Sequence, residues 1–532
     1  MTMVEFLRAP LAALPHPQQA WRFAKADPLI AGLWLAVGAS ALLFLWVLAI
    51  GLDVPVTDWH GFRQSQTAIS VYAMLNGGGW IDYETPVLGA PWTIPFEAPV
   101  YHWSVALIAS VLPVGLDAAG RITSALYLLG TIVIGVRLLR LLVPKDDVLP
   151  LFFIVLMLVS PQHLFWGRTF LIETCALFFG TLFLYAAIRF YREPGWILFG
   201  VMLVASLLGV LAKSTTWPAF AVAFALFWMG DVLRSRKLKV TATAGVMGVG
   251  IASVLAAVLW NAHADALKMQ SILGNYISSD KLNDWNFGSM AQRFGAQLWQ
   301  DLLPTRMLPE AIGDLWPVFL IGATHLLRLN AYAALTAAGV VLYFVPIMLF
   351  TNLHMVHAYY QTACAAFLIA GTAALLAGMI ANGRKILALI AFALILGGQW
   401  HYFDTQRLPM IEQPLRSSSG YVAALATRDL VPEDRAIYVF GYDWSSEVNY
   451  YAERRGIAFA GWFSEDHLRQ MFETPQKFLG AYPLGGIVDC RAVRIKYAAG
   501  HMALIDAYLK RLSDAGLPKV EAGGCTIYRT EP

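Results

Sequence analysis

Ionisable side chains are scarce in this sequence, and those beside apolar runs fall into a few short stretches. DWHGFR carries Asp58, His60 and Arg63, and FEAP carries Glu97. GRTFLIET carries Arg168 and Glu173, LAKSTTWP carries Lys213, and HMVHAYYQ carries His354, His357, Tyr359 and Tyr360. His263 follows a further apolar run. Acids and bases gathered this way suit a site that binds a phosphate and also handles a hydroxyl proton. Cations neutralise the charge that collects on a departing phosphate, and a carboxylate takes the proton of the attacking hydroxyl. Lys213, with Arg63 or Arg168, fits the first task. Asp58 is the expected base, because it follows the first apolar run directly and has no cation at helical i+4 spacing. Plain structural roles compete with these. Lys213 could snorkel to an interface, Arg168 and Glu173 could pair with each other, and His263 could be a surface histidine. Most of the 18 tryptophans suit an aromatic belt.

What must position these residues is a membrane. The 532 residues are 58% hydrophobic and 14% charged, against roughly 25% charged in soluble domains, and the mean hydropathy is +0.57. Eleven segments are apolar enough to read as spanning helices: 29–51, 120–142, 148–166, 174–190, 196–212, 217–233, 240–261, 312–328, 331–350, 360–381 and 385–402. The segment 101–115 is too short to span and reads as half-inserted. Arg137, Arg140 and Lys145; Arg189 and Arg192; Arg234, Arg236, Lys237 and Lys239; Arg328; and Arg384 and Lys385 occupy alternate connections. That set, with the N-terminus, is expected on the cytoplasmic side. The opposite, exterior face then collects every candidate residue above. Residues 1–28 read as a cytoplasmic amphipathic segment, with no cleavable signal peptide. The loop 52–119 interrupts the membrane pattern with turn residues and charges and reads as the working loop of a membrane enzyme.

From about Asp404 the composition becomes that of a soluble domain. RAIYVFGYDW, GIAFAGW, LGGIVDC and CTIYR read as strands, and HMALIDAYLKRLSDAG as an amphipathic helix with a glycine stop. Residues 403–532 are expected to form a small exterior α/β domain. It holds Cys490 and Cys525, which an oxidising compartment permits to bridge, although strand pairing is not legible from sequence. The four cysteines show no metal-ligand spacing. No basic run with interleaved aromatics points to nucleic acid.

The motifs in order are DWHGFRQSQTA, WIDYETPVLGAPWTIPFEAPVYHW, AAGRITSAL, GRTFLIETCALFF, LAKSTTWP and HAYYQ. Together they resemble the GT-C glycosyltransferases, in the bacterial branch of protein O-mannosyltransferases and lipid A aminoarabinose transferases, over roughly residues 30–380. The resemblance implies a GT-C-like polytopic α-helical fold in a bacterial inner membrane, with the C-terminal domain periplasmic. It also implies a hexosyl or pentosyl transfer from a polyprenyl-phosphate sugar, with inversion, to a glycan, lipid or protein hydroxyl. Carried over by position, Asp58, Arg63, Glu97, Glu173, Lys213, Tyr359 and Tyr360 match the family's pattern. Ala98 stands where relatives have a lysine, and Ser214 where they have a glycine. Relatives also suggest a divalent ion between Glu97 and His263, two ligands that by themselves make an incomplete site. His60 and His357 join the expected substrate-binding set with Arg168. A transporter or flippase of an anionic or lipid-linked substrate is the rival class, but it calls for polar groups at mid-membrane and for repeats, and the sequence shows no internal repeat. A sensor whose working part is the tail is a third.

Overall fold

The computed structural model describes residues 27–324, 330–494 and 497–531. The N-terminal segment and Arg328 therefore lie outside the described residues, apart from Asp27 and Pro28. Among the described residues, eight helices are long and apolar enough to cross a membrane: Pro28–Ile50, Leu116–Leu142, Glu173–Arg192, Trp217–Ser235, Val240–Lys268, Ala331–Leu349, Ala358–Ala381 and Lys385–Glu412. The chain is a polytopic α-helical membrane protein with a small C-terminal sheet.

Three of the eleven expected spans differ from full crossings. Residues 148–166 break into Val148–Val159 and Pro161–Trp166, because Pro161 supplies no N–H for the first helix to continue. Trp196–Ala212 is helical but has only 17 residues. Expected span 312–328 contains the end of helix Leu308–Ile312, a turn at Gly313 with φ 86°, and then Pro317–Ala323. Residues 325–328 of that span lie outside the described residues. The segment after Pro99 is a 12-residue helix, Val100–Val111.

Small residues let the spans approach. Gly339 and Gly371 face each other where Ala331–Leu349 packs on Gln361–Ala381. A Cβ built on Gly371 would sit 3.3 Å from the Gly339 Cα, so the two backbones pack without side chains between them.

The tail begins later than residue 403. The last long helix runs on through Phe403–Arg407 to Glu412 before the chain leaves it. Five strands follow: β1 (Ala436–Phe440), β2 (Gly456–Ala458), β3 (Leu484–Asp489), β4 (Lys519–Ala522) and β5 (Cys525–Arg529). Their order is β2-β1-β3-β5-β4. β2, β1 and β3 run parallel, while β5 pairs antiparallel with β3 and β4. β1 is buried along its whole length, as a strand covered on both faces must be. Cys490 and Cys525 are bridged, at a sequence separation of 35. On the chain-entropy account such a loop is worth about 3–4 kcal/mol.

The loop after the first span and this sheet are knit together. Gly456 and Ala458 of β2 donate to the carbonyls of Pro86 and Val87 at 3.0 and 2.9 Å, and Leu88 bridges to Ile457. The loop thereby covers an edge strand that would otherwise be open to pairing, and it is fixed from both sides.

Candidate functional site

The loop after the first span turns sharply at His60, whose φ of 56° and ψ of 36° place a non-glycine residue in the left-handed region. Such a conformation persists only where its surroundings impose it. It starts helix Gly61–Leu75, which sends Arg63 and Gln64 to the ends of the spans.

Asp58 lies at the centre of a sealed cluster. Arg168 Nη2 donates to its Oδ2 at 2.9 Å, Arg121 Nη2 stands 3.9 Å away, and Gln64 donates to Oδ1. The side chains of Asp58, Arg121 and Arg168 are all fully buried. Gln64 also accepts from the Phe170 N–H at 3.1 Å. Gly51 is required here, since a Cβ on it would lie 2.9 Å from Arg168 Nη1. This arrangement places Asp58, the expected base, inside an ion-paired cluster. Its side chain is fully buried in this structure.

Lys213 ends helix Trp196–Ala212, where the backbone turns extended before Pro218 starts the next helix. It donates to Glu173, and both side chains are 4% exposed. The ammonium also lies 3.5 Å from the centre of the Tyr360 ring and 5.3 Å from that of Tyr359, within the range of a cation–π attraction. Snorkelling is thus excluded for Lys213, and the suggested Arg168–Glu173 pair is replaced by two separate pairs. Glu173 keeps one carboxylate oxygen, Oε2, without a hydrogen bond.

Arg63 Nη2 donates to both oxygens of Glu97 at 2.7 Å and lies over the Phe96 ring. Burial pushes the Glu97 carboxyl up, but the Arg63 guanidinium outweighs it and holds the group below the ordinary carboxylate range. Glu97 retains 24% side-chain exposure, which the other two carboxylates lack.

Aromatic rings join these pairs. His60 meets Tyr359 edge-on at 5.2 Å and His357 edge-on at 5.5 Å, lies tilted 5.7 Å from Trp166, and His357 stacks on Tyr359 at 5.2 Å. Burial, then Arg306 and Arg407, pulls the His60 imidazole down to about 4. Burial, then His60 and Lys213, pulls that of His357 down to about 3. Both are neutral donors or acceptors at neutral pH. Their folded values lie below the unfolded value near 6.5. Their contribution to stability is therefore present above about pH 6.5 and is lost as pH falls from there toward 4. We expect the melting temperature to fall between pH 7 and 5, and the fall to be shallower in His60→Gln. An identical slope in that variant would contradict the neutral-imidazole assignment.

The structure brings Asp58, His60, Arg63, Glu97, Arg168, Glu173, Lys213, His357, Tyr359 and Tyr360 to one region, at the ends of several spans. It leaves His263 out. That ring accepts or donates at 2.6 Å with Asp82, exposed, while Glu97 is committed to Arg63. No contact joins Glu97 to His263, and among the described residues no group of three or more His, Cys, Asp or Glu forms a metal site. The residues present do not fit the divalent ion that relatives suggest.

Sequence reasoning missed Arg121, Gln64, Trp166, Arg306 and the buried Arg407–Glu310 pair. Arg121 stands in an apolar helix, and the cost of a buried guanidinium could have found it. Arg407 and Glu310 lie in stretches with no spacing signal. Arg306 donates to the His354 carbonyl at 2.7 Å, and Arg407 stacks over Trp59 at 4.1 Å.

No family model and no curated protein matches the chain. Its structure is similar to that of ArnT from Cupriavidus metallidurans. In the apo state the TM-score is 0.57 at 12% identity, covering 93% of this chain and 97% of that one. For the same protein bound to undecaprenyl phosphate the TM-score is 0.57 at 13% identity. The apo Archaeoglobus fulgidus oligosaccharyltransferase gives a TM-score of 0.50 at 11% identity, over 85% of this chain and 69% of that one. Arabinofuranosyltransferase AftD from Mycobacteria gives 0.50 at 15% identity, over 94% of this chain but 40% of its own. All three are GT-C membrane glycosyltransferases.

This chain has the GT-C fold. At these identities the likeness is one of architecture. In this chain the GT-C arrangement places the loop after the first span against the ends of later spans, where the ion pairs gather.

Proposed function

We propose that this chain transfers a sugar from a polyprenyl-phosphate donor to an acceptor hydroxyl at the exterior membrane face, with inversion at the sugar carbon. One observation carries the proposal. Lys213 and Arg63 converge beside Tyr359 and Tyr360, and deeper in the cluster Arg168 keeps Nε and Nη1 without hydrogen bonds. Buried donors of this kind seek an anionic oxygen. The undecaprenyl phosphate of the ArnT complex supports the same donor chemistry.

In the reaction, the acceptor oxygen attacks the anomeric carbon on the face opposite the phosphate. The carbon–oxygen bond to phosphate breaks, and the phosphate leaves with the electron pair. Lys213 and Arg63 stabilise that charge as it develops. We assign the proton to Glu97, the carboxylate an acceptor can reach, since geometry ranks candidates before pKa does. Asp58 then positions Arg168 and Arg121. The spans beside the site would hold the isoprenoid tail. The orientation that fits has the N-terminus cytoplasmic and the tail periplasmic, in a bacterial inner membrane.

The test is mass spectrometry of lipid-linked sugars in cells with and without the chain. Loss of the chain should cause one polyprenyl-phosphate sugar to accumulate. Identical lipid-linked pools would contradict the proposal.

A further inference from the structure

A cavity of mixed lining lies away from these ion pairs, at the seam between the spans and the tail. It measures about 560 Å³. Asp53, Pro55 and Leu116–Ala118 wall one side, and Tyr421, Tyr450 and Tyr451 wall the other. The tyrosines form a tiered aromatic surface: Tyr450 and Tyr451 are 4.7 Å apart, and Tyr421 meets Tyr451 edge-on at 4.8 Å. Asp117 accepts from the hydroxyls of Tyr450 and Tyr451 at 2.6 and 2.7 Å. Arg428 pairs with Glu453 at 3.6 Å at the rim.

Charge narrows the occupant. Three carboxylates (Asp53, Asp117, Glu453) and two guanidiniums (Arg416, Arg428) line the cavity, so it holds no excess of cations for a phosphate. Five charged side chains interrupt its apolar lining, which suits a ring with both C–H and hydroxyl faces better than a lipid tail. What remains is a hydroxyl-rich, uncharged molecule. Tyr421 and Tyr451 are partly exposed and offer ring surface to the C–H face of a sugar ring. Planar carboxylate and guanidinium groups match pairs of adjacent hydroxyls. A peptide would prefer a free strand edge, but β2, next in sequence to Tyr450 and Tyr451, is already covered by residues 86–88.

The cavity also shares its wall with the candidate site. Tyr451 accepts from the Val56 N–H at 2.6 Å, and Arg416 donates to the Asp53 carbonyl at 2.8 Å. Both contacts fall on the loop that carries Asp58. Arg121, one helical turn beyond Asp117, reaches from this wall to the Pro55 carbonyl and toward Asp58.

We propose that this cavity binds a neutral glycan chain and, resting on the transferase reading, that the glycan is the acceptor. The experiment is saturation-transfer NMR on the full chain in detergent, with maltotetraose, mannotetraose and an arabinose tetramer as probes. Undecaprenyl phosphate serves as a separate ligand. At least one tetrasaccharide should bind saturably, with affinity at least tenfold weaker in Tyr421→Ala and weaker in the rim variant Arg428→Ala. Undecaprenyl phosphate binding should be unchanged in both. No saccharide signal, or a signal equal in wild type and both variants, would overturn the proposal, as would binding confined to tetrapeptides of matched size. Saccharide binding at this cavity without any undecaprenyl phosphate binding would leave the glycan site standing and remove its assignment as acceptor.

Discussion

Asp58→Asn is expected to cost stability as well as turnover. The amide keeps the shape of the side chain but leaves Arg168, and Arg121 beyond it, buried without a counter-charge. Breaking a buried pair in this way costs about 3–5 kcal/mol, which thermal unfolding in detergent would register as a clear fall in melting temperature. Glu97→Gln is the matched control. Glu97 is partly exposed, and its partner Arg63 keeps Gln66 and the Phe96 ring, so the variant should lose less stability than Asp58→Asn. It should also lose about two to four orders of magnitude in turnover if Glu97 takes the proton. The reverse pattern, with Asp58→Asn stable but inactive and Glu97→Gln active, would return the base to Asp58 and contradict the positioning role.

The second large effect is at Lys213. In Lys213→Ala, Glu173 is left as an unpaired carboxylate at 4% exposure, and the fold should lose about 3–5 kcal/mol. Donor affinity should fall as well. Losing a charge-assisted contact to phosphate costs about 1.5–3 kcal/mol, roughly ten- to a hundredfold. The two losses separate in the double variant Lys213→Met with Glu173→Gln. Removing both charges should restore most of the stability, since an isosteric neutral pair leaves no buried charge. It should not restore affinity for the donor. A double variant that binds undecaprenyl phosphate as wild type does would show that Lys213 serves Glu173 alone.

Much of the architecture was legible from hydropathy, because lipid forces apolar runs into helices. Where the reading failed, local backbone chemistry was the cause. Pro161 and Gly313 divide runs whose composition alone reads as continuous. The helix that begins at Lys385 outlasts its apolar stretch, since Phe403–Glu412 is held by packing against earlier elements, including the Arg407–Glu310 pair, and not by lipid. In the candidate site, residue types were legible but pairings were not. Asp58, Arg168, Glu173 and Lys213 all stood out as charges beside spans. Which carboxylate meets which cation depends on how the spans pack, and that decides whether Asp58 is open or sealed. Arg121 shows the same limit: its motif was visible, but its reach to Asp58 and Gly51 crosses three elements. The Cys490–Cys525 bridge needed the strand order, in which β3 and β5 are neighbours although the cysteines stand at a sequence separation of 35.

The central claim is that the ion-paired cluster at the span ends receives a polyprenyl phosphate. Native mass spectrometry of the purified full chain, titrated with undecaprenyl phosphate and separately with phosphatidylglycerol, tests it most directly. The account predicts saturable one-to-one binding of undecaprenyl phosphate, at least tenfold tighter than phosphatidylglycerol. That preference should be lost in the Lys213→Met, Glu173→Gln double variant. Equal binding of the two lipids, or a preference untouched by the double variant, would contradict it.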